Sequence, residues 1–286
     1  MKDKVDFFIV GAPKAGTTSL HNSLALHDEI FMPEIKEPNF FSSAELRSDN
    51  LYYNEIIISS LSDYEKLFAG AGEKIKGDAS VSYLFYPSTA SKIFNYNPEA
   101  RIIILLRQPI ERAVSHYQMD KRLGFVNAPM EAIFADEGNN APSYFQQYFQ
   151  LGKYAKQVKR YMDLFPESQM KFFLFEEVKN DFRKVMKDTL LFLGIKNLDS
   201  IPVSENQNAS FDFNLPLLSN LYRHARIRKR LKKAIPERFA TSLMKTFSRK
   251  SKSDISDKLR IQLKEFYRDD ILALSQLINK NLNHWL

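Results

Sequence analysis

Phe7-Phe-Ile-Val-Gly-Ala-Pro-Lys-Ala-Gly-Thr-Thr-Ser-Leu20 decides how the rest of the chain is read. An apolar run gives way to a turn bounded by Gly11 and Gly16, and hydroxyl residues then open a helical stretch. A strand, a glycine-bounded turn and a helix, in that order, aim successive backbone N–H groups and the positive end of a helix dipole at one point. Such a point holds phosphate or sulfate. In the nucleotide-triphosphatase loop G-x-x-x-x-G-K-[ST], a lysine precedes the hydroxyl residue. Here Gly11, Gly16 and Thr18 keep the spacing, but Thr17 stands in the lysine's place and Lys14 lies inside the loop. The cradle is similar; its charge is arranged differently.

Outward from this segment, Asp6–Val10, Arg101–Leu106 and Met170–Phe175 are short runs rich in Val, Ile, Leu and Phe, which predict buried parallel strands. Ile75–Gly77 predicts a shorter fourth strand ahead of a loop over Asp78–Tyr86. Helical patterns cover Thr17–Leu26, Ile110–Leu123 after Pro109, Lys153–Leu164, and Phe182–Leu193 with Gly194 as its stop. Strands alternating with helices predict an α/β fold, a P-loop-like parallel sheet flanked by helices, with a mainly helical C-terminal region. Residues 1–286 read as a single domain. Asn139–Tyr148 reads as a loop or a boundary. A basic run, Arg223 to Lys233, marks the segment of about 215–252 as an insertion or lid. It is either a solvated helix face or a surface for an anionic donor, acceptor or membrane.

Composition narrows the function classes. The 41 basic and 34 acidic residues leave a net charge of +7, which favours anionic ligands without singling out nucleic acid. The absence of cysteine excludes disulfides, thiolate metal sites and cysteine nucleophiles. The apolar run Val5–Val10 is broken by Asp6 and is too short for a signal-peptide core or a membrane span. A soluble, cytoplasmic protein with no integral membrane segment, no nucleic-acid partner and no metal is therefore expected. His21, His27, His224 and His284 have no metal-ligand spacing.

A second anchor lies in Arg101-Ile-Ile-Ile-Leu-Leu-Arg-Gln-Pro-Ile-Glu-Arg-Ala-Val-Ser-His-Tyr117. Arg107 stands at the carboxyl edge of a buried strand, where ligands of open α/β sheets collect, and Pro109 starts a helix. Ser115 follows about two turns into that helix, so Arg107 and Ser115 are placed to grip one phosphate from two sides.

Together the two segments carry a resemblance. Pro13–Thr18 matches P-K-[AST]-G-T-[ST], and R-x-P-x-x-R-x-x-S-x-Y resembles the 3′-phosphate motif of sulfotransferases that use 3′-phosphoadenosine 5′-phosphosulfate (PAPS). More narrowly, it is similar to the heparan-sulfate-type and bacterial carbohydrate branch. The resemblance implies PAPS as co-substrate and 3′-phosphoadenosine 5′-phosphate (PAP) as product. It implies donor binding by Pro13, Lys14, Ala15, Gly16, Thr17, Thr18 and Ser19 at one end and by Arg107 and Ser115 at the other. Lys14 would neutralise charge on the departing phosphate; a sulfuryl group in flight carries less charge than a phosphoryl group, so no magnesium clamp is required.

Lys36-Glu37-Pro38-Asn39-Phe40-Phe41 resembles the branch's K-E-x-x-F-F segment, which implies Glu37 as the base and Lys36 as a group that holds the leaving group or orients the acceptor. Read alone, it is a surface Lys–Glu pair ahead of a buried Phe–Phe anchor. His116 is the rival base, but it points about 100° away from Ser115 on the same helix and is read as structural. Asp78, Ser80 and Tyr83 are candidates for acceptor contact, or members of an ordinary polar loop. The acceptor would be a hydroxyl or amine of a carbohydrate or small metabolite. A catalytically silent nucleotide- or glycan-binding member of the fold is the alternative. One departure is that the chain has no glycine after Gly194, whereas many relatives close over the donor with a glycine-bearing loop late in the sequence.

Overall fold

Strand-forming residues here are almost all apolar because a parallel strand is covered on both faces. β1 (Phe7–Gly11) is buried along its whole length. In the computed structural model, which describes residues 4–49, 51, 58–140, 142–196, 198 and 255–286, it is the middle strand of five. β2 (Ile30–Phe31), β3 (Ile75–Ala79), β4 (Arg101–Leu106) and β5 (Met170–Leu174) complete a parallel sheet in the order β2-β3-β1-β4-β5. Phe7 lies opposite Gly77 on one side and Arg101 on the other. A Cβ at Gly77 would strike the Phe7 ring and come within 2.6 Å of the Met32 sulfur, so only glycine lets β3 lie against β1 there.

From β1 the chain first builds the β2–β3 side, then crosses to β4 and β5. The order thus reverses between β1 and β4, and the carboxyl ends of these two strands open the crevice where such sheets bind ligands.

Helices flank the sheet. Before β4 come α1 (Thr17–Leu24), α2 (Ser43–Asp49), α3 (Leu61–Lys66) and α4 (Thr89–Tyr96). Beyond it come α5 (Pro109–Leu123), α6 (Met130–Ala135), α7 (Pro142–Tyr148), α8 (Tyr154–Met162), α9 (Phe175–Asn180), α10 (Phe182–Phe192) and the C-terminal α11 (Asp257–Leu277). α5 has its boundaries written into the sequence. The Gln108 side chain accepts from the Glu111 N–H, Pro109 fills the first turn, and Gly124 closes the helix at φ 72°. α11 packs along α8 and caps it, Asp270 accepting from the N–H groups of Tyr154 at 2.6 Å and Ala155 at 3.1 Å.

Two expectations change. Asn139–Tyr148 is not all loop: Pro142 opens α7, which buries Phe145 and Tyr148. Its tertiary packing outweighs the turn-forming residues before it. The expected loop Asp78–Tyr86 begins later, because Asp78 and Ala79 extend β3 and Val81–Tyr83 forms a 3₁₀ turn. The two-residue β2 was not foreseen. The basic run Arg223–Lys233 and the segment of about 215–252 lie outside the described residues. Among the described residues, no helix is long and apolar enough to cross a membrane.

Candidate active site

The turn after β1 is pinned from two sides. Ala12 N–H donates to the Leu105 carbonyl at 2.6 Å, and Leu84 N–H donates to the Val10 carbonyl at 2.8 Å. Beyond these ties the backbone turns through left-handed conformations at Lys14 (φ 68°) and Gly16 (φ 93°). Gly16 is the N-cap of α1 and offers no side chain, which leaves the first amides of α1 without a side-chain cap. A Cβ on Gly16 would stand 3.0 Å from Val178 Cγ1.

Arg107 leaves the end of β4 and reaches that turn. Its Nη1 donates to the Lys14 carbonyl at 3.1 Å, and its guanidinium lies 4.5 Å from the centre of the Phe175 ring. Its own carbonyl accepts from the Tyr154 hydroxyl at 3.0 Å. Burial lowers the guanidinium's pKa. The Lys14 ammonium sits 3.3 Å from the Met119 sulfur. Burial pulls its pKa from 10.5 to about 8; the charges of Arg122, Arg107 and Arg112 add to that, while Asp120 opposes it. Cations gathered this closely form a receptor for an anion.

A cleft of ≈ 450 Å³ brings the expected donor groups together: Pro13, Lys14, Gly16, Thr17, Thr18 and Ser19 line it along with Arg107 and Ser115. Glu37 lines it too. Ala15 is buried beneath the turn. The Glu37 N–H donates to the Ala79 carbonyl at 3.1 Å, and Asn39 Nδ2 donates to the Glu37 carbonyl at 2.8 Å, which fixes the segment to the end of β3. Phe41 anchors it below, edge-on to Phe8, Tyr64, Tyr83 and Tyr96. Lys36 is not on the cleft wall; its ammonium pairs with the Glu37 carboxylate.

Asp78, Ser80 and Tyr83 do not contact the cleft. All three are fully buried behind its wall. Asp78 accepts from the hydroxyls of Tyr64 at 2.8 Å, Ser80 at 2.8 Å and Tyr83 at 2.9 Å. Burial raises its pKa to about 6 even though these hydroxyls pull it down. The trio is a core polar network. Val81, Ser82, Phe85 and Tyr86 line the cleft in their place.

Sequence reasoning passed over Arg112, the second arginine of its own motif. It is wholly buried, and its Nη2 donates to the carbonyls of Gln147 at 3.0 Å and Tyr148 at 2.5 Å at the end of α7. Those carbonyls are the negative end of a helix, so a cation is stabilised there without a carboxylate. His116 Nδ1 lies 3.1 Å from the Gln147 carbonyl and 3.3 Å from Arg112 Nη1. Burial first, and then the Arg112 charge, drive the His116 pKa well below its ordinary value, so the ring is neutral. The spacing of Arg112 from Arg107 was the available signal; its partners lie some 35 residues downstream, out of reach of local reading.

A glycine-bounded turn on the central strand, met by an arginine from the next strand, defines a P-loop-like α/β protein. The sulfotransferase domain family matches residues 4–269, and the chain belongs to that family. A sulfotransferase from Alicyclobacillus acidocaldarius, known from its crystal structure, is similar over 98% of both chains, with 30% identity and a TM-score of 0.74. Carbohydrate sulfotransferase 15 of Mus musculus is 26% identical over 71% of this chain and 45% of its own length. Bifunctional heparan sulfate N-deacetylase/N-sulfotransferase 3 of Homo sapiens is 24% identical over 96% of this chain and 30% of its own. The chain spans less than half the length of these two curated relatives.

Proposed function

We propose that this chain is a PAPS-dependent sulfotransferase acting on a hydroxyl or amine of a carbohydrate or small-molecule acceptor. The observation that carries the proposal is that the Pro13–Ser19 turn and the Arg107/Ser115 pair line one cleft, with Glu37 on the same wall. Burial, with the nearby arginine charges adding to it, lowers the Lys14 pKa; this also supports the proposal, because a bisphosphate would stabilise the charged ammonium.

PAPS supplies a sulfuryl group already joined to a stable leaving phosphate. As the acceptor oxygen bonds to sulfur, the bond from sulfur to the phosphate oxygen breaks and its electron pair leaves with the phosphate. Lys14 and the amides opening α1 neutralise that charge. Glu37 takes the proton lost by the acceptor. Arg107 and Ser115 hold the 3′-phosphate and set the position of the nucleotide. We assign the reaction to the cytoplasm, in keeping with the cysteine-free sequence.

Calorimetry with PAP and ATP, followed by turnover of labelled PAPS, tests the proposal. PAP should bind and ATP should not compete, and Lys14→Ala should lower kcat by about 10²–10³-fold. Equal binding of ATP and PAP, or full activity in Lys14→Ala, would overturn it.

A further inference from the structure

The groups around Arg107 meet on one residue far downstream. Trp285, in the 3₁₀ turn Asn283–Trp285, is 1% exposed and does not line the cleft. Three separate ties run from it to the surroundings of Arg107. Its carbonyl accepts from Gln108 Nε2 at 3.1 Å, and Gln108 is the residue that follows Arg107. Its indole Nε1 donates to Glu176 Oε1 at 2.9 Å, and Glu176 follows Phe175, the ring against which the Arg107 guanidinium rests. Its ring stands 6.5 Å from that of Tyr154, whose hydroxyl holds the Arg107 carbonyl. Lys280 fastens the same stretch of chain to α9 by pairing with Glu177 at 2.8 Å.

A long cationic side chain gives up rotamer freedom when it grips a phosphate, and it gives up less where its planar fork is already held in place. Both ends of the Arg107 side chain are set through Trp285. Gln108 and Tyr154 steady the backbone from which it leaves, and Glu176 steadies the ring beneath its tip. The indole bond goes to a carboxylate, which makes it the strongest of the three ties.

We infer that Trp285 is a positioning residue for Arg107: through Glu176 and Gln108 it sets the guanidinium against Phe175, and so sets the affinity that the nucleotide's 3′-phosphate adds. The inference rests on the sulfotransferase reading and deepens it.

The test uses the full chain and two nucleotides, PAP and adenosine 5′-phosphate (AMP), which lacks the 3′-phosphate. PAP is titrated by calorimetry, and AMP enters as its competitor, so that a weak Kd is still read. The ratio of the AMP Kd to the PAP Kd isolates what the 3′-phosphate contributes. Trp285→Phe keeps an aromatic ring and loses the indole N–H. It should lower that ratio by about tenfold, the scale of one hydrogen bond to a charged group, with the AMP Kd within about twofold of the parent protein. Gln108→Ser keeps a capping side chain for α5 and gives up the Trp285 carbonyl; it should lower the ratio by about threefold. A residue that only supports the fold would weaken both nucleotides alike and leave the ratio where it was. An unmoved ratio in Trp285→Phe, or in Gln108→Ser should Trp285→Phe not fold, overturns this inference alone. Equal Kd values for PAP and AMP in the parent protein remove the 3′-phosphate reading of Arg107, and failure of PAP to bind removes the sulfotransferase reading; either takes this inference with it.

Discussion

Buried among Arg122, Arg107 and Arg112, the Lys14 ammonium has a pKa of about 8 in the free protein. A bound bisphosphate would favour the charged form and raise that value. PAP binding at pH 8.5 should therefore draw protons from solution, seen as a buffer-dependent binding enthalpy, whereas at pH 6.5 the uptake should vanish. kcat/KM for the donor should fall as pH rises through about 8, and Lys14→Arg, which cannot deprotonate in this range, should remove the falling limb. Arg112→Met tests the buried guanidinium by two routes. It removes the guanidinium's hydrogen bonds to the Gln147 and Tyr148 carbonyls, at about 1–3 kcal/mol in all, which urea denaturation would read as a lower midpoint. It also removes one of the charges depressing Lys14, and should move the same limb upward in pH.

Two helices connect the C-terminal region to Arg107. α11 supplies Asp270 as the cap of α8, and Tyr154 at the start of α8 holds the Arg107 carbonyl. Asp270→Ala should cost about 0.5–2 kcal/mol, the usual worth of an N-cap, and should also raise the PAP Kd, because the element steadying Arg107 is loosened. A loss of stability with an unchanged PAP Kd would break that link. Legibility in the sequence followed the reach of each cause. The start of α5 could be read because Pro109 acts on its own turn, and β1 because its neighbours cover it on both faces. α7 could not be read, since its hydrophobic face, Phe145 and Tyr148, is short and follows residues that favour turns. Asp78, Ser80 and Tyr83 looked like loop residues available to a ligand. What buries them is Tyr64 and the Phe41 ring cluster, brought in from other segments. The motifs name Glu37 and Lys14, and both line the cleft, while the charges around Lys14 come from Arg107 and from α5.

Across the molecule, buried carboxyls set an unusual pH response. Burial raises both Asp78 and Asp270 to about 6, opposed by the hydroxyls around Asp78 and by the α8 amides at Asp270. Their folded-state pKa values exceed the unfolded value, so each binds a proton more tightly in the folded state. The stability they contribute is complete below about pH 4 and is lost as pH rises through about 6. Asp78→Asn should abolish its share of that slope, at most about 3 kcal/mol, in thermal melts compared at pH 4 and pH 7. Parallel curves for the two proteins would show that Asp78 does not titrate this way. β1 has a molecular consequence of its own. It is bonded on both edges, with Ile9 between Ala79 and Ile103, and it carries the Pro13–Thr18 turn at its tip. A strand in that position cannot peel away by itself, so its amide hydrogens should exchange with deuterium only when the whole sheet opens. A nucleotide held at the tip, at about a hundred times its Kd, would slow that exchange by about a hundredfold. Occupancy of the crevice would thus be reported by Ile9, whose own atoms the nucleotide need never touch.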